Sequence, residues 1–450
     1  MPTSIGRISA LLLLAFALLA GVFGYTAATG PSLTAREDNP RRILAERRIL
    51  RGRISDRSGE TIVETIGEPG RYTRRTRYPD AAPVAGYYSL NYGTSGIEQA
   101  FDATLRGQIG LDPAQVQIDS LLHRSPIGRD VQLTLDLPLQ RMADALLRGQ
   151  SGAVVILSVA GGEVLAMSSQ PTFDPNTLDE NWDTLRADPA APLLNRATQG
   201  QYQPGTAFQS VLLSEALRRE AGSLDDTPEF PTTPFRIDSR SLACRAEASV
   251  VTLDDAFRAA CPGPFADLGA VLGGSALQEL VAAWGLTEMN VVEFGVGSVG
   301  DRPQLTLALT DTQSLREFAA GQGSLTVTPL HMALVASTLA ARGEMRPARI
   351  VSATQAIDGA WRPAARPEAR RVLPASVADQ VVAAMPRDGD GAWHAGEGLS
   401  GASRLLWFIG LAPVDRPRYA LAVLVEVAAD APQPEQVAIE IGQTLLQLLH

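Results

Sequence analysis

The sequence predicts an α+β fold: a central antiparallel sheet with helices, preceded by a small β-rich N-terminal domain and a membrane anchor. Hairpin patterns stand at both ends of the larger part of the chain, at 152–169 and 405–427, with helical patterns between them. An apolar run opens the chain. Strands at both ends with helical material between them indicate one domain whose terminal segments share a sheet.

The first element is a nearly unbroken apolar run from Ile8 to Tyr25, directly after Arg7. At about 18 residues it is just long enough to cross a hydrocarbon core. It is either an uncleaved anchor or a cleaved signal peptide, and small residues near Ala27 and Ala28 make only a weak cleavage site. The preferred interpretation is a single-pass anchor in the cell membrane. Residues 1–30 then form the cytoplasmic tip and anchor, and the bulk of the chain is extracytoplasmic.

A small membrane-proximal domain and linker are predicted at 31–128. Residues 51–60 read as strand, turn, strand, and 111–128 reads as the linker. The domain is dense in arginine: Arg41, Arg42, Arg47, Arg48, Arg51, Arg53, Arg57, Arg71, Arg74 and Arg75. Such a run is either a solvated face or a surface that contacts anionic lipid or a polyanionic wall polymer. The net charge of −10 argues against nucleic acid as a partner.

The larger domain is predicted at 129–450. Residues 131–136 alternate as a strand and lead into a helix at 137–148. A buried strand at 152–158 turns at Gly161-Gly162 into a second strand at 163–169. Strands at 405–413 and 419–427 form a second hairpin, and an amphipathic helix at 435–449 closes the chain. The Pro/Arg-rich piece at 363–371 reads as a surface loop.

The chain has two cysteines, Cys244 and Cys261. In an exported protein an even pair permits a single disulfide, with two buried free thiols as the alternative. The four histidines are scattered along the sequence at His123, His331, His394 and His450. Metal binding is therefore not expected, and nothing in the sequence points to another cofactor.

A series of short motifs runs through the chain from Arg51 onward. They are Arg51-Gly52-x-Ile54-x-Asp56-Arg57-x-Gly59, Gly96-Ile97-Glu98, Leu133-Thr134-Leu135-Asp136, Leu194-Asn195-Arg196-Ala197, Tyr202-x-Pro204-Gly205, Gly321-Gln322-Gly323 and Trp407-Phe408-Ile409-Gly410. In number and order they resemble the transpeptidases of the class B penicillin-binding protein family, which cross-link peptidoglycan and are acylated by β-lactams. The resemblance implies the penicillin-binding protein transpeptidase/β-lactamase-like fold and a role in cell division or cell shape. Implied partners are peptidoglycan or a lipid-linked precursor and other cell-wall synthesis or division membrane proteins.

The family's active site has three motifs, each placed here by its neighbours in sequence. The first, Ser-x-x-Lys, corresponds to Thr206-Ala207-Phe208-Gln209, which keeps a hydroxyl but offers no titratable nitrogen. The second, Ser-x-Asn, corresponds to Ala260-Cys261-Pro262, which loses both polar side chains. The third, Lys-Thr-Gly, is assigned to Leu399-Ser400-Gly401, of which the glycine alone remains.

No lysine occurs anywhere in the sequence, because all 39 basic residues are arginines. Arginine cannot lose its proton and serve as the base that this chemistry needs. The favoured hypothesis is a catalytically inactive transpeptidase homologue that acts as a scaffold or regulator. One alternative is an acyl transferase or hydrolase with Thr206 as nucleophile and Glu397 or His394 as substitute base. Another is a peptidoglycan-binding sensor that uses the arginine-rich domain.

Overall fold

The computed structural model describes residues 2–34, 46–110, 127–245, 249–286, 311–429 and 435–449, together with residues 44, 118 and 309. Nearly all of the predicted linker, as well as Arg41, Arg42, His123 and His450, lies outside these residues. The apolar run forms part of helix α1 (Pro2–Thr34). Among the residues described, no helix combines the length and the apolar character needed to cross a membrane.

The N-terminal part of the chain is built on a six-stranded sheet that it shares with later segments. Its own strands are β1 (Ile54–Ser55), β2 (Thr61–Ile66) and β3 (Thr73–Thr76), followed by helix α2 (Ala82–Ala85), strands β4 (Tyr88–Ser89) and β5 (Gly93–Thr94), and helices α3 (Gly96–Ala100) and α4 (Asp102–Leu105). The later strands are β6 (Val131–Leu133), β12 (Val351–Gln355) and β13 (Trp361–Pro363). The order is β13-β12-β6-β1-β2-β3, with β1 and β6 parallel. Backbone hydrogen bonds therefore join the N-terminal part to the larger one.

The second six-stranded sheet is the centre of the larger part. Its strands are β7 (Ser151–Ser158), β8 (Val164–Gln170), β15 (Arg387–Asp388), β16 (Gly391–Ser400), β17 (Ser403–Ala412) and β18 (Tyr419–Ala428). They lie in the order β15-β16-β17-β18-β7-β8, and every neighbouring pair is antiparallel. Strand β7 pairs with β18 over its whole length. This confirms the expectation that the two predicted hairpins share one sheet in an α+β domain.

Helices cover both faces of the second sheet. The helices of the larger part are α5 (Leu137–Leu147), α6 (Leu178–Ala187), α7 (Gln209–Arg218), α8 (Leu253–Arg258), α9 (Pro262–Ala283), α10 (Thr312–Ala319), α11 (Pro329–Ala340), α12 (Ala375–Ala384) and α13 (Glu435–Leu448), with short strands β9 (Phe235–Ile237), β10 (Arg240–Leu242), β11 (Glu344–Met345) and β14 (Arg370–Arg371). Helices α5 and α13 pack on one face, and α11 packs on the other. Every residue of α11 is buried, as expected of a helix that is apolar on all sides.

Candidate functional site

Thr206 lies on a 3₁₀ turn, Gly205–Phe208, that runs directly into helix α7. The turn is seated against strand β16. A Cβ on Gly205 would lie 1.8 Å from the backbone oxygen of Glu397, and Gly205 has a φ of +54°. Glycine tolerates this conformation at no steric cost, so the backbone of the turn can approach the strand closely. Thr206 itself is 3% exposed.

Strand β16 contacts the turn at three positions: His394, Gly396 and Glu397. The N–H of Glu397 donates to Oγ1 of Thr206 at 3.0 Å. Nε2 of His394 lies 3.1 Å from the backbone oxygen of Thr206. A Cβ on Gly396 would lie 2.1 Å from the backbone nitrogen of Ala207, so no other residue fits between these two without a shift. The strand segment beside Thr206 is therefore His394-Ala395-Gly396-Glu397.

This placement corrects the position of the third motif. Leu399-Ser400-Gly401 was predicted to stand beside the nucleophile position, but Ser400 pairs with Ser403 at the end of the β16–β17 hairpin. Gly401 has a φ of +51°, and a Cβ there would meet nothing within 4 Å, as expected of a turn glycine in open space. The tripeptide that faces Thr206 is His394-Ala395-Gly396. The prediction was wrong in register, and glycine is again the one motif residue retained.

Gln209 lies one helical turn after Thr206 but turns away from its hydroxyl. The side chain is fully buried, and Nε2 donates to the backbone oxygen of Cys261 at 2.8 Å. An amide has no proton acceptor that titrates near neutral pH. Gln209 therefore joins helix α7 to the start of helix α9 instead of activating a nucleophile.

The position of the second motif carries no polar side chain. Ala260 has a φ of +52° and lines the cleft beside Thr206. Cys261 precedes helix α9, and Pro262 is the first residue of that helix, a position where the missing N–H costs little. Cys261 and Cys244 are joined by a disulfide.

The structure brings both predicted substitute bases close to Thr206, but neither side chain contacts its hydroxyl. The carboxylate of Glu397 accepts two hydrogen bonds from Arg404, at 2.5 and 2.6 Å. This bidentate pair is specific and strong, and it holds the Glu397 carboxylate against Arg404. His331 lies in the first turn of helix α11. Its side chain and that of Thr328 form the capping box that begins this helix.

His394 is a fully buried imidazole stacked on Phe257, with ring centroids 4.3 Å apart. Burial, opposed by the hydrogen bond to Thr206 and assisted by nearby Arg245, lowers the pKa of His394 to about 3. The ring is thus neutral, and Nε2 must carry the proton in order to donate to the Thr206 carbonyl oxygen. The nitrogen that could accept a proton, Nδ1, is buried and has no hydrogen-bond partner in the part of the chain that the structure describes. His394 therefore orients the backbone of Thr206 through Nε2 and does not contact its hydroxyl.

The cleft beside Thr206 has a volume of about 320 Å³ and a cationic wall. Arg240, Arg245 and Arg404 line it, against the single carboxylate of Glu397. Arg240, on strand β10, donates to the backbone oxygen of Ser403 at 3.1 Å and also to that of Gly401. The hairpin of β9 and β10 therefore closes one side of the cleft. Within the described ranges, no cluster of His, Cys, Asp or Glu is placed to hold a metal ion.

Sequence reasoning missed these three arginines. Arg404 lies on β17, diagonally across from Glu397 on β16, so their pairing across the sheet depends on the register of this hairpin. Arg240 and Arg245 lie on a segment whose path over the cleft is set by the disulfide and by tertiary contacts. No local pattern signals their position.

Ion pairs connect several residues of the arginine-dense N-terminal domain. Arg51 and Arg74 both contact the fully buried carboxylate of Glu98, at 2.7 and 2.6 Å. Burial alone would raise the pKa of Glu98, but the two guanidinium groups lower it below its usual value. Arg74 is therefore a buried structural residue, whereas Arg71 and Arg75 are exposed. Arg51 and Arg74 are thus withdrawn from any contact surface on this stretch, whereas the other described arginines remain exposed: Arg47, Arg48, Arg53, Arg57, Arg71 and Arg75.

Comparison with known proteins places this architecture in a family. The penicillin binding protein transpeptidase domain matches residues 152–447, and the penicillin binding protein A dimerisation domain matches residues 51–131. The peptidoglycan D,D-transpeptidase PbpA of Mycolicibacterium smegmatis is 31% identical over 472 residues, which cover 96% of this chain and 95% of that protein. Escherichia coli FtsI, also named a peptidoglycan D,D-transpeptidase, is 26% identical and covers 81% of this chain and 65% of its own length.

Solved structures agree with the sequence relatives. Penicillin-binding protein A from Mycobacterium tuberculosis, in its penicillin G acyl-enzyme complex, has a TM-score of 0.74 and 27% identity, covering 89% of this chain and 99% of that one. Another structure of that protein has a TM-score of 0.76 and 26% identity, covering 88% and 98%. Both family domains are matched along the chain, in order. The chain belongs to the class B penicillin-binding protein family of peptidoglycan transpeptidases.

Proposed function

We propose that this chain is a catalytically inactive member of its family that serves peptidoglycan synthesis as a scaffold or regulator. The observation that carries the proposal is the state of the Thr206 hydroxyl. It accepts a hydrogen bond from the N–H of Glu397, and the side chain one turn later, Gln209, is bound to the backbone oxygen of Cys261.

Acyl transfer to a hydroxyl needs a group that removes its proton. Such a nucleophile and its base act as a unit, so loss of the base alone costs several orders of magnitude in rate. Here the carboxylate of Glu397 is paired with Arg404, and the imidazole of His394 donates to a backbone oxygen. The methyl group of Thr206 also restricts χ1 and crowds the approach of an acyl group.

The retained scaffold supports a role in assembly. The backbone packing of Gly205 and Gly396 around the turn is kept although the reactive groups are not. Relatives are named peptidoglycan D,D-transpeptidases, so the partners we propose are other membrane proteins of cell-wall synthesis or division. The disulfide of Cys244 and Cys261 supports a location outside the cytoplasm, since such bonds persist in oxidising compartments. We place the larger domain there, attached to the membrane through the N-terminal segment.

The test is intact-mass spectrometry of the purified chain after incubation with excess benzylpenicillin. The M. tuberculosis penicillin-binding protein A, which forms a penicillin G acyl-enzyme, is the positive control under the same conditions. We expect an unmodified mass for this chain and a covalent adduct on the control. An adduct that maps to Thr206 would overturn the proposal and would favour the alternative of an acyl transferase with a substitute base.

A second measurement addresses the scaffold role. The tagged full chain, expressed at its native level, is crosslinked in cells and purified, and co-purifying membrane proteins are identified by mass spectrometry. We expect proteins of cell-wall synthesis to be enriched over a control in which the tag is carried by an unrelated membrane protein. Recovery of the chain alone after crosslinking would contradict a scaffold.

A further inference from the structure

A second cavity lies far along the sequence from Thr206, between the N-terminal part of the chain and helix α6. Its volume is about 490 Å³, within the range of about 300–1,000 Å³ that small-ligand pockets occupy. One wall is the hairpin of β4 and β5, which carries Tyr92, and the other is helix α6, which carries Trp182 and Arg186. We call this cavity the Tyr92 groove.

Aromatic rings dominate the walls of the groove. Tyr92 and Trp182 are stacked with centroids 4.4 Å apart and an angle of 12° between their planes. Tyr87 and Trp182 are in edge-to-face contact, with ring centroids 6.0 Å apart, and Tyr92 is 38% exposed. The stack presents rigid ring surface to solvent at a small cost in conformational entropy on binding.

Hydrogen bonds hold the groove in shape before any ligand arrives. Asp179 of helix α6 accepts from the hydroxyl of Ser89 at 2.5 Å and from Nδ2 of Asn91 at 3.3 Å. The Ser89 hydroxyl in turn accepts from the backbone N–H of Tyr92 at 2.9 Å. These contacts tie the hairpin to the helix, so that both walls move as one unit. Preorganisation of this kind lowers the cost of binding.

The charges that line the groove cancel. The carboxylates are Glu46 and Asp102, and the guanidinium groups are Arg106 and Arg186. Glu46 is paired with Arg106 at 2.5 Å, and it also accepts from the hydroxyl of Tyr88 at 3.1 Å. A polyanion such as a phosphate-rich polymer would meet as much negative as positive charge here. The groove therefore favours a neutral ligand.

The remaining polar groups suit a ligand that is rich in hydroxyl groups. Asn91, Thr94 and Arg186 combine donors and acceptors in side chains that can bind vicinal hydroxyls. A peptide added as a strand has little to pair with, since β4 and β5 are two residues long and form a separate two-stranded sheet. Sugars carry both hydroxyl groups and apolar C–H faces, and the latter pack on aromatic rings.

We infer that the Tyr92 groove is a binding site for a neutral oligosaccharide, with a sugar ring against the Tyr92–Trp182 stack and its hydroxyls on Asn91 and Arg186. The groove needs no chemistry at Thr206, so this site stands apart from the question of acylation. Only the identification of that sugar with a peptidoglycan glycan strand rests on the proposed function.

The test is isothermal titration of the full-length chain with a neutral β-1,4-linked tetramer of N-acetylglucosamine. Tyr92→Leu keeps apolar contact with Trp182 but removes the ring, and Arg186→Gln removes a cation from an exposed helix position. Each is expected to weaken binding by about tenfold or more. Arg366→Gln, an exposed arginine in the loop after β13, is the matched control and should bind as the unchanged chain does.

Circular dichroism and sedimentation of each variant confirm that fold and assembly are unchanged. Absence of saturable binding by the unchanged chain at millimolar tetramer would overturn the inference. Equal affinity of Tyr92→Leu, Arg186→Gln and the control Arg366→Gln for the tetramer would also overturn it. Neither result bears on acylation. A benzylpenicillin adduct on Thr206 would overturn the proposed inactivity and leave the groove untouched, so the two failures are distinguishable.

Discussion

The backbone N–H of Glu397 donates a hydrogen bond of 3.0 Å to Oγ1 of Thr206. A side chain in the nucleophile position is thereby tied to strand β16 as an acceptor. The hydroxyl joins the helix turn to the strand, and this structural role gives position 206 a reason to carry a hydroxyl that is independent of catalysis.

Thr206→Val is expected to lower the free energy of unfolding by about 1 kcal/mol or more, because it leaves the part-buried N–H of Glu397 without its acceptor. Thr206→Ser keeps the hydroxyl and is the matched control, with a loss of less than about 1 kcal/mol. Urea unfolding at neutral pH measures both. Equal stability of Thr206→Val and the unchanged chain would show that the hydroxyl is not structural.

Alanine substitutions at Gly396 and at Gly401 test which of these two glycines belongs to the site. In Gly396→Ala the added Cβ would lie 2.1 Å from the backbone nitrogen of Ala207, and such overpacking costs about 3 kcal/mol. In Gly401→Ala the added Cβ meets nothing within 4 Å, and only the φ of +51° opposes the substitution. A residue with a Cβ in this backbone conformation costs about 1 kcal/mol. Thermal unfolding of the two variants under the same conditions shows which of them loses more stability. A larger loss for Gly401→Ala would restore the register predicted from sequence.

His394 makes stability depend on pH. Burial lowers its pKa to about 3 in the folded chain, against about 6.5 when unfolded. Below pH 6.5 the unfolded chain binds the proton and the folded chain does not, so stability is fully present above 6.5 and falls toward pH 3. The slope due to this residue is at most about 1.4 kcal/mol per pH unit.

The variant His394→Gln keeps a donor for the Thr206 carbonyl oxygen but removes the titration. Urea unfolding of both proteins at several values between pH 7.5 and 4.5 should show a steeper fall for the unchanged chain. The carboxylates that titrate at the lower end are common to both proteins and cancel in the difference. Parallel curves would mean that His394 is already protonated in the folded state or is accessible to water.

The disulfide closes a loop across the cleft. It joins Cys244 and Cys261, which are 17 residues apart. A disulfide that closes a loop of this size raises the free energy of unfolding by about 3 kcal/mol. The double variant Cys244→Ala, Cys261→Ala should unfold at a lower urea concentration by that margin. The unchanged chain in strong reductant should match the variant, and reductant should leave the variant unaffected. A variant as stable as the oxidised chain would show that other contacts hold the β9–β10 hairpin.

Most of the sheet could be predicted from the sequence because its signals are local. Gly161-Gly162 marks a tight turn, and the apolar runs on either side predict strands that the structure places at Ser151–Ser158 and Val164–Gln170. The absence of lysine is visible in the sequence itself, so no lysine base can stand at any position of the chain.

The register of β16 against Thr206 could not be predicted in this way. Two glycines, Gly396 and Gly401, each suit the end of a Lys-Thr-Gly pattern, and the sequence offers no means of choosing. The choice is made by a long-range backbone contact between Gly396 and Ala207. The hydrogen-bond partners of Glu397 and His394 could not be predicted either. They are Arg404 and the backbone oxygen of Thr206, and only the folded chain brings them into contact.

By itself, the sequence determined the fold class, the order of its strands and helices, and the loss of every lysine that the family's chemistry requires, because periodicity, turns and composition are carried by residues close together in the chain. Tertiary structure alone decided that His394 is a neutral buried donor, that Glu397 is held by Arg404, and that the hairpin groove at Tyr92 exists. Those properties depend on burial and on charges brought together from distant segments, and desolvation and pairing act only once the chain has folded.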